Sequence, residues 1–292
     1  MNMQYKYVAV NDFQIFYREI GKPDAPVILL LHGFPSSSRM YEQLMLLLSE
    51  QYRLIAPDYI GFGQSSWPSH VDFHYTFDNL SDVMLQFIEK LNLQQYTLVV
   101  QDYGGPIGFR IASQFPTRVN ALIVQNAVAH AEGLGPLWDT RKAFWNDRDS
   151  YESQLKQNFV SLEATKLRHV GNSPNIELYN PDIWVDEHYF LSQPKQVDIQ
   201  LDLFYDYQSN VKLYPHWQDY FKQYQPATLV VWGKHDPSFT IDGAYAYVKD
   251  IPSAEIHLLD GGHFVLEESC QQTAEIMKAF LQKLKNNVDK NA

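Results

Sequence analysis

Five apolar residues in a row, Val27–Leu31, interrupt an otherwise mixed sequence. Similar runs recur at residues 53–57, 96–100, 121–125, 227–233 and 255–259. Uninterrupted runs of this length predict strands buried on both faces of a mostly parallel sheet. Residues 13–18 instead alternate, which predicts a half-buried antiparallel strand. Between the runs the period changes. Leu80, Val83, Met84, Phe87, Ile88 and Leu91 recur at three and four, the mark of an amphipathic helix. Further helices are predicted at 40–48, at 106–115 with Pro106 in the first turn and Pro116 beyond the end, and around Ile276 to Leu284. The polar tail after that is expected to fray.

Strands that alternate with helices predict right-handed crossovers and a doubly wound α/β sheet. The rhythm stops from Ala127 to Tyr224, a polar, aromatic stretch of helical tone with no buried strand. Its place between two sheet strands predicts a helical cap inserted at 127–224 into a core formed by 1–126 and 225–292. The chain has 292 residues, near the roughly 250–300 at which single cores stop growing, so one large domain with an insertion suits the length.

Charge and composition narrow the class. A formal net charge of −11 argues against a nucleic-acid footprint and against attraction to anionic membranes. Cys270 is the only cysteine, so no intrachain disulfide forms and a reducing compartment is compatible. The first twenty residues alternate in polarity and lack the apolar region of a signal peptide. Val27–Leu31 is far too short to span a bilayer. The expectation is a cytoplasmic protein with no nucleic-acid or membrane partner.

Asp102 stands between the run at 96–100 and the helix at 106–115, followed by Tyr103, Gly104 and Gly105. A residue at such a corner sits in a sharp turn above the sheet, and the backbone N–H of Tyr103 at the helix start faces a developing oxyanion. Asp is also a favoured helix N-cap, and that reading stands beside the catalytic one. Three features favour catalysis. His32-Gly33-Phe34-Pro35 follows the neighbouring strand and offers the N–H of Phe34 as a second oxyanion donor. Asp236 ends the run at 227–233, and His263 lies in a Gly-rich loop after the last strand. Nucleophile, acid, His is the chain order of the α/β-hydrolase triad, and all three fall at carboxyl ends of strands.

The chain therefore resembles the α/β-hydrolase superfamily, in its aspartate-nucleophile branch of haloalkane dehalogenases, epoxide hydrolases and fluoroacetate dehalogenase. The motifs are "HGFP" from His32, "APDYIGFGQS" from Ala56, "VVQDYGG" from Val99 and "GGHF" from Gly261. The resemblance covers nearly the whole chain and implies an α/β-hydrolase fold with a helical cap and no cofactor. "HGFP" is closer to epoxide hydrolases, and the stretches around Asp58 and Asp102 to haloalkane dehalogenases. Both branches usually carry Trp after the nucleophile. Here that residue is Tyr103, so a tryptophan halide donor does not carry over. Val100 replaces the small residue that Ser esterases place two before the nucleophile.

An aspartate is ionised at neutral pH without a base, and a carboxylate suits attack at an sp³ carbon that bears a leaving group. His263, oriented by Asp236, then activates the water that cleaves the ester. The leading expectation is carbon–halogen hydrolysis of a small apolar organic substrate, with epoxide hydration as the alternative. A carboxylesterase and a non-catalytic small-molecule binding module rank below. In epoxide hydrolases cap tyrosines protonate the leaving oxygen. By position Tyr207 and then Tyr205 suit that role here, with Trp138 and Trp184 as halide donors. Other features read as structural: His32 and Asp58 as turn residues, Ser36 to Ser38 as helix caps, His235 and His257 as surface or core residues. No histidine pair has metal-ligand spacing, so no metal is expected.

Overall fold

A computed structural model describes residues 2–291, with the side chains of all but 157–160 and 287–291. Eight strands form one sheet. In chain order they are β1 (Gln4–Val10), β2 (Phe13–Ile20), β3 (Val27–Leu31), β4 (Arg53–Pro57), β5 (Tyr96–Gln101), β6 (Val119–Gln125), β7 (Thr228–Gly233) and β8 (Glu255–Leu259). Across the sheet the order is β1-β2-β4-β3-β5-β6-β7-β8. β2 pairs antiparallel with β1 and β4, and β3 through β8 run parallel. The alternating N-terminus thus contributes a hairpin, closed at Asn11 with φ of 52°, where sequence periodicity had marked only its second strand.

Each apolar run feeds two cores because successive side chains leave a strand on opposite faces. Ile28 and Leu30 join Leu54, Val99, Ile123 and Val231 under helices α1 (Glu42–Leu48) and α10 (Leu266–Asn291). Leu29 and Leu31 join Leu98, Val100, Val124 and Val230 on the other face. There they meet α2 (Phe77–Lys90), α3 (Gly104–Gln114) and α9 (Ile241–Asp250). Burying one such side chain contributes about 1.5–3 kcal/mol, so a polar residue at any of these positions opens a core. α2 starts where the Thr76 hydroxyl accepts from Asn79 N–H at 3.2 Å and turns Phe77, Leu80, Met84 and Phe87 inward.

Between β6 and β7 the chain leaves the sheet for five helices: α4 (Trp138–Asn146), α5 (Arg148–Val160), α6 (Leu162–Val170), α7 (Asp182–Leu191) and α8 (Gln196–Tyr224). α8 has 29 residues and belongs to both layers. Its second half packs on the sheet helices, with Trp217 and Phe221 against Phe109 at centroid distances of 5.4 and 5.5 Å. Polar clamps fix its first half: Asp206 accepts from Phe77 N–H at 2.7 Å, and Arg110 donates to Asn210 at 2.6 Å. The inserted layer is therefore held over the carboxyl ends of the strands. Among the described residues no helix is long and apolar enough to cross a membrane.

Candidate active site

Asp102 follows β5 with φ of 48°, a left-handed conformation that a non-glycine residue adopts at some cost. The turn lifts its carboxyl off the sheet. It is tight because α3 begins against β3: a Cβ on Gly104 would lie 2.0 Å from the Leu31 carbonyl oxygen. Asp102 Oδ1 accepts from Phe34 N–H at 2.7 Å, and the Tyr103 N–H also bonds the carboxylate. The nucleophile candidate thus occupies the two-donor pocket that its sequence context predicted. It does not cap α3 through its side chain, since the residue at the cap position is Tyr103.

His263 and Asp236 converge on it from the far ends of β8 and β7. His263 Nε2 is 3.6 Å from Asp102 Oδ2, and His263 Nδ1 is 2.7 Å from Asp236 Oδ2. Asp236 is held by four donors in all. Besides His263, its Oδ1 accepts from the backbone N–H of Ser238 and Phe239 at 2.7 and 3.0 Å, and its Oδ2 from Asn126 at 2.8 Å. Asn126, at φ of 38° after β6, also accepts from Gly233 N–H at 2.8 Å and so ties β6 to β7 beneath the acid. Gln101 Nε2 stands 3.1 Å from His263 Nε2. With Nδ1–H committed to Asp236, Nε2 of the neutral ring is the acceptor.

Burial dominates the electrostatics. It pushes the Asp102 carboxyl above the usual range, opposed by His263, the Phe34 and Tyr103 N–H groups and Arg141. Burial also works against charging His263, yet Asp236 and then Asp102 outweigh it and raise that imidazole above 6.5. The Tyr103 phenol is driven far above 10 by burial and by the adjacent Asp102, so it remains a hydrogen-bond donor.

A cavity of about 590 Å³ opens over Asp102 beneath α4, α6 and α8. Phe34, Trp138, Leu155, Leu167 and Phe204 make its wall apolar, while Arg141 and Arg168 bring two cations into it. The Tyr103 ring lines it too, and its buried hydroxyl has no hydrogen-bond partner among the described residues.

The predicted leaving-group donors fare differently. Trp138 lines the cavity, but its indole N–H is spent on the Ser238 carbonyl at 3.0 Å, which removes it as a halide donor. Trp184 packs with Val170 and Tyr179 in a separate cluster and does not line the cavity. Tyr205 turns to Phe144 and Arg148, also outside the lining. Tyr207 is buried behind it, 4.6 Å from Trp138 and 6.0 Å from Tyr103 between ring centroids. Aromatic residues in a cap carry no local signal that separates packing from chemistry, and only tertiary contacts sort them.

Several other residues sit as structure. His32 is buried against Tyr59, and burial drives it down to about 4, so it stays neutral. Asp58 accepts from Ser38 N–H and Gln64 N–H at 2.7 and 2.8 Å. Ser37 caps the turn after it by accepting from Arg39 N–H. His235 pairs with Asp260 at 2.6 Å near the surface. A second cavity of about 330 Å³ lies at the seam of core and cap near Glu267 and is not lined by the triad.

Residues 26–269 match the family described as alpha/beta hydrolase fold. An uncharacterized hydrolase of Saccharomyces cerevisiae is 35% identical over 275 residues, covering 93% of this chain and 94% of that protein. A haloalkane dehalogenase of Mycolicibacterium paratuberculosis is 41% identical over 114 residues, 39% of this chain and 38% of its own length. Among solved structures, a putative lipase from Acinetobacter baumannii superposes with a TM-score of 0.83 at 22% identity, over 98% of this chain and 93% of that one. The last is a likeness of fold.

Proposed function

The chain belongs to the α/β-hydrolase family, and on that premise we propose that it hydrolyses a bond between an sp³ carbon and a leaving group through an alkyl ester on Asp102. One observation carries this reading. Asp102 Oδ1 already sits on the Phe34 N–H, while Oδ2 faces His263. Oδ1 is then the carbonyl oxygen of the future ester, and Oδ2 the attacking atom.

In the first step Oδ2 forms a bond to carbon, and the carbon–leaving-group bond breaks with its electron pair on the leaving group. In the second, His263 Nε2 takes a proton from water as its oxygen adds to the Asp102 carboxyl carbon. The oxyanion forms on Oδ1, against the Phe34 and Tyr103 N–H groups. Collapse expels the alkoxide, which recovers the proton from His263, and the regenerated carboxylic acid ionises. The sum is substrate plus water to alcohol plus the protonated leaving group. Base catalysis in this setting contributes about 10²–10⁴-fold.

Halide is the leading choice of leaving group, supported by the local similarity to a haloalkane dehalogenase and by a largely apolar wall. Epoxide oxygen is the second. It is favoured by the Tyr103 hydroxyl, a buried donor on the cavity.

The test is to trap the ester. In His263→Phe, which lacks the base for the second step, a brominated alkane is expected to leave a covalent adduct that peptide mapping places on Asp102. An adduct from an epoxide instead would select the second reading. No adduct from either, together with ester turnover retained in Asp102→Ala, overturns both.

A further inference from the structure

The cavity over Asp102 contains two guanidinium groups that the ester mechanism does not use. Arg141, on α4, stacks over Trp138 with its central carbon 4.3 Å from the ring centroid and lies 5.4 Å from that of Phe204. It donates to Ser238 Oγ at 2.9 Å and forms no ion pair with a carboxylate among the described residues. Arg168, on α6, reaches the same space from the other side, its central carbon 4.9 Å from the centroid of Phe34, the residue whose N–H holds Asp102. Phe34 and Phe204 are themselves 5.1 Å apart. The two cations therefore approach one small volume beside the reacting carboxylate.

The charge count within the lining is unusual. Asp102 is the only acid among the described lining residues, against two arginines, in a protein whose net charge is −11. Like charges in a low-dielectric site repel. Burial, and after it the neighbouring Arg141, lowers Arg168 to about 10, so it remains charged at neutral pH. A neutral ligand that filled the cavity would strip water from both guanidinium groups and return no partner. A planar anion would pair with them, and guanidinium is the side chain suited to gripping carboxylate with two parallel hydrogen bonds.

We propose that the substrate carries a carboxylate, held by Arg141 and Arg168, which presents an electrophilic carbon of a short organic acid to Asp102. The proposal rests on the Asp102 reading only for what happens at that carbon; the anion subsite is a binding property by itself. It also accounts for a site that takes up an anion despite its own negative nucleophile, since two cations outnumber one carboxylate there.

Binding and chemistry are tested separately. Calorimetry on the unaltered protein compares unreactive butanoate with butanamide, which has the same shape and no charge. Butanoate is expected to bind at least about tenfold tighter, as for one lost charge-assisted contact. Equal or tighter binding of the amide overturns the proposal, whatever the variants do. Turnover of terminally brominated butanoate and butanamide is then compared in Arg141→Gln and Arg168→Gln. The ratio of kcat/KM for acid over amide is expected to fall at least about tenfold in each. An equal loss on both substrates assigns the arginines to keeping Asp102 ionised and overturns the proposal. A failed Asp102 reading has a different signature: butanoate still binds in preference, but neither bromide leaves an adduct in His263→Phe.

Discussion

Asn126 donates to Asp236 Oδ2 at 2.8 Å, the same oxygen that His263 Nδ1 meets at 2.7 Å. The amide fixes which lone pair of the acid faces the imidazole. It also bonds the N–H and carbonyl of Gly233 at the end of β7. Asn126→Leu leaves those groups unpaired in a buried place, which costs about 1–3 kcal/mol per group. The expected outcome is slower ester hydrolysis by roughly tenfold or more, measured as accumulation of the alkyl-enzyme in stopped turnover, together with a lower Tm. An unchanged rate of the second step would assign Asn126 to stability alone.

His263 is raised partly by the charge of Asp102. Alkylation of Asp102 removes that charge, so the imidazole loses a reason to keep its proton at the moment it must act as a base. Asp102→Asn imitates the neutral ester. Its His263 is expected to titrate lower than in the unaltered protein, as read by NMR of the ring nitrogens. A value that stays put or rises would contradict the coupling.

Much of this site was legible in the chain. Buried strands announce themselves as apolar runs, and the residues that follow them, Asp102, Asp236 and His263, inherit a common location from the topology of a parallel sheet. Phe34 and Tyr103 were legible for the same reason, as backbone donors fixed by turns. Arg141 and Arg168 were not, because a cation on a cap helix has the same local pattern whether it meets solvent or a cavity. Asn126 was equally silent: its role comes from the lateral neighbour β7, over a hundred residues away in sequence. The cap tyrosines and tryptophans failed in the opposite direction, offering several candidates where packing needs most of them.

Glu267, at the start of α10, faces the core–cap seam near Glu187 and His169. Burial raises its carboxyl to about 7, with His169 and Arg39 opposing and Glu187 adding to the rise. A raised acid favours the folded state most where both folded and unfolded forms are protonated, below about 4.5, and this contribution is lost as pH rises through about 7. Glu267→Gln removes the titration. It is expected to gain about 2–3 kcal/mol relative to the parent at pH 8 over pH 5, seen as a Tm difference of a few degrees between the two conditions. A Tm difference independent of pH would contradict it.

The closest approach at the nucleophile turn supplies the sharpest structural test. Ala at position 104 would place Cβ 2.0 Å from the Leu31 carbonyl oxygen, a backbone atom that cannot move without β3. At position 105 the first obstacle is the Ala127 side chain at 2.8 Å. Both lie in the first turn of α3, where Ala would otherwise stabilise a helix by up to about 1 kcal/mol. Gly104→Ala must therefore push the start of α3 off β3 and carry the Tyr103 N–H away from Asp102. A displacement near 1 Å in such a site costs about 10²-fold in rate. Gly104→Ala is expected to lose at least that factor and several degrees of Tm, while Gly105→Ala loses clearly less of each. Equal losses in the two variants would mean that the turn yields elsewhere and that α3 does not position the oxyanion donor through this contact.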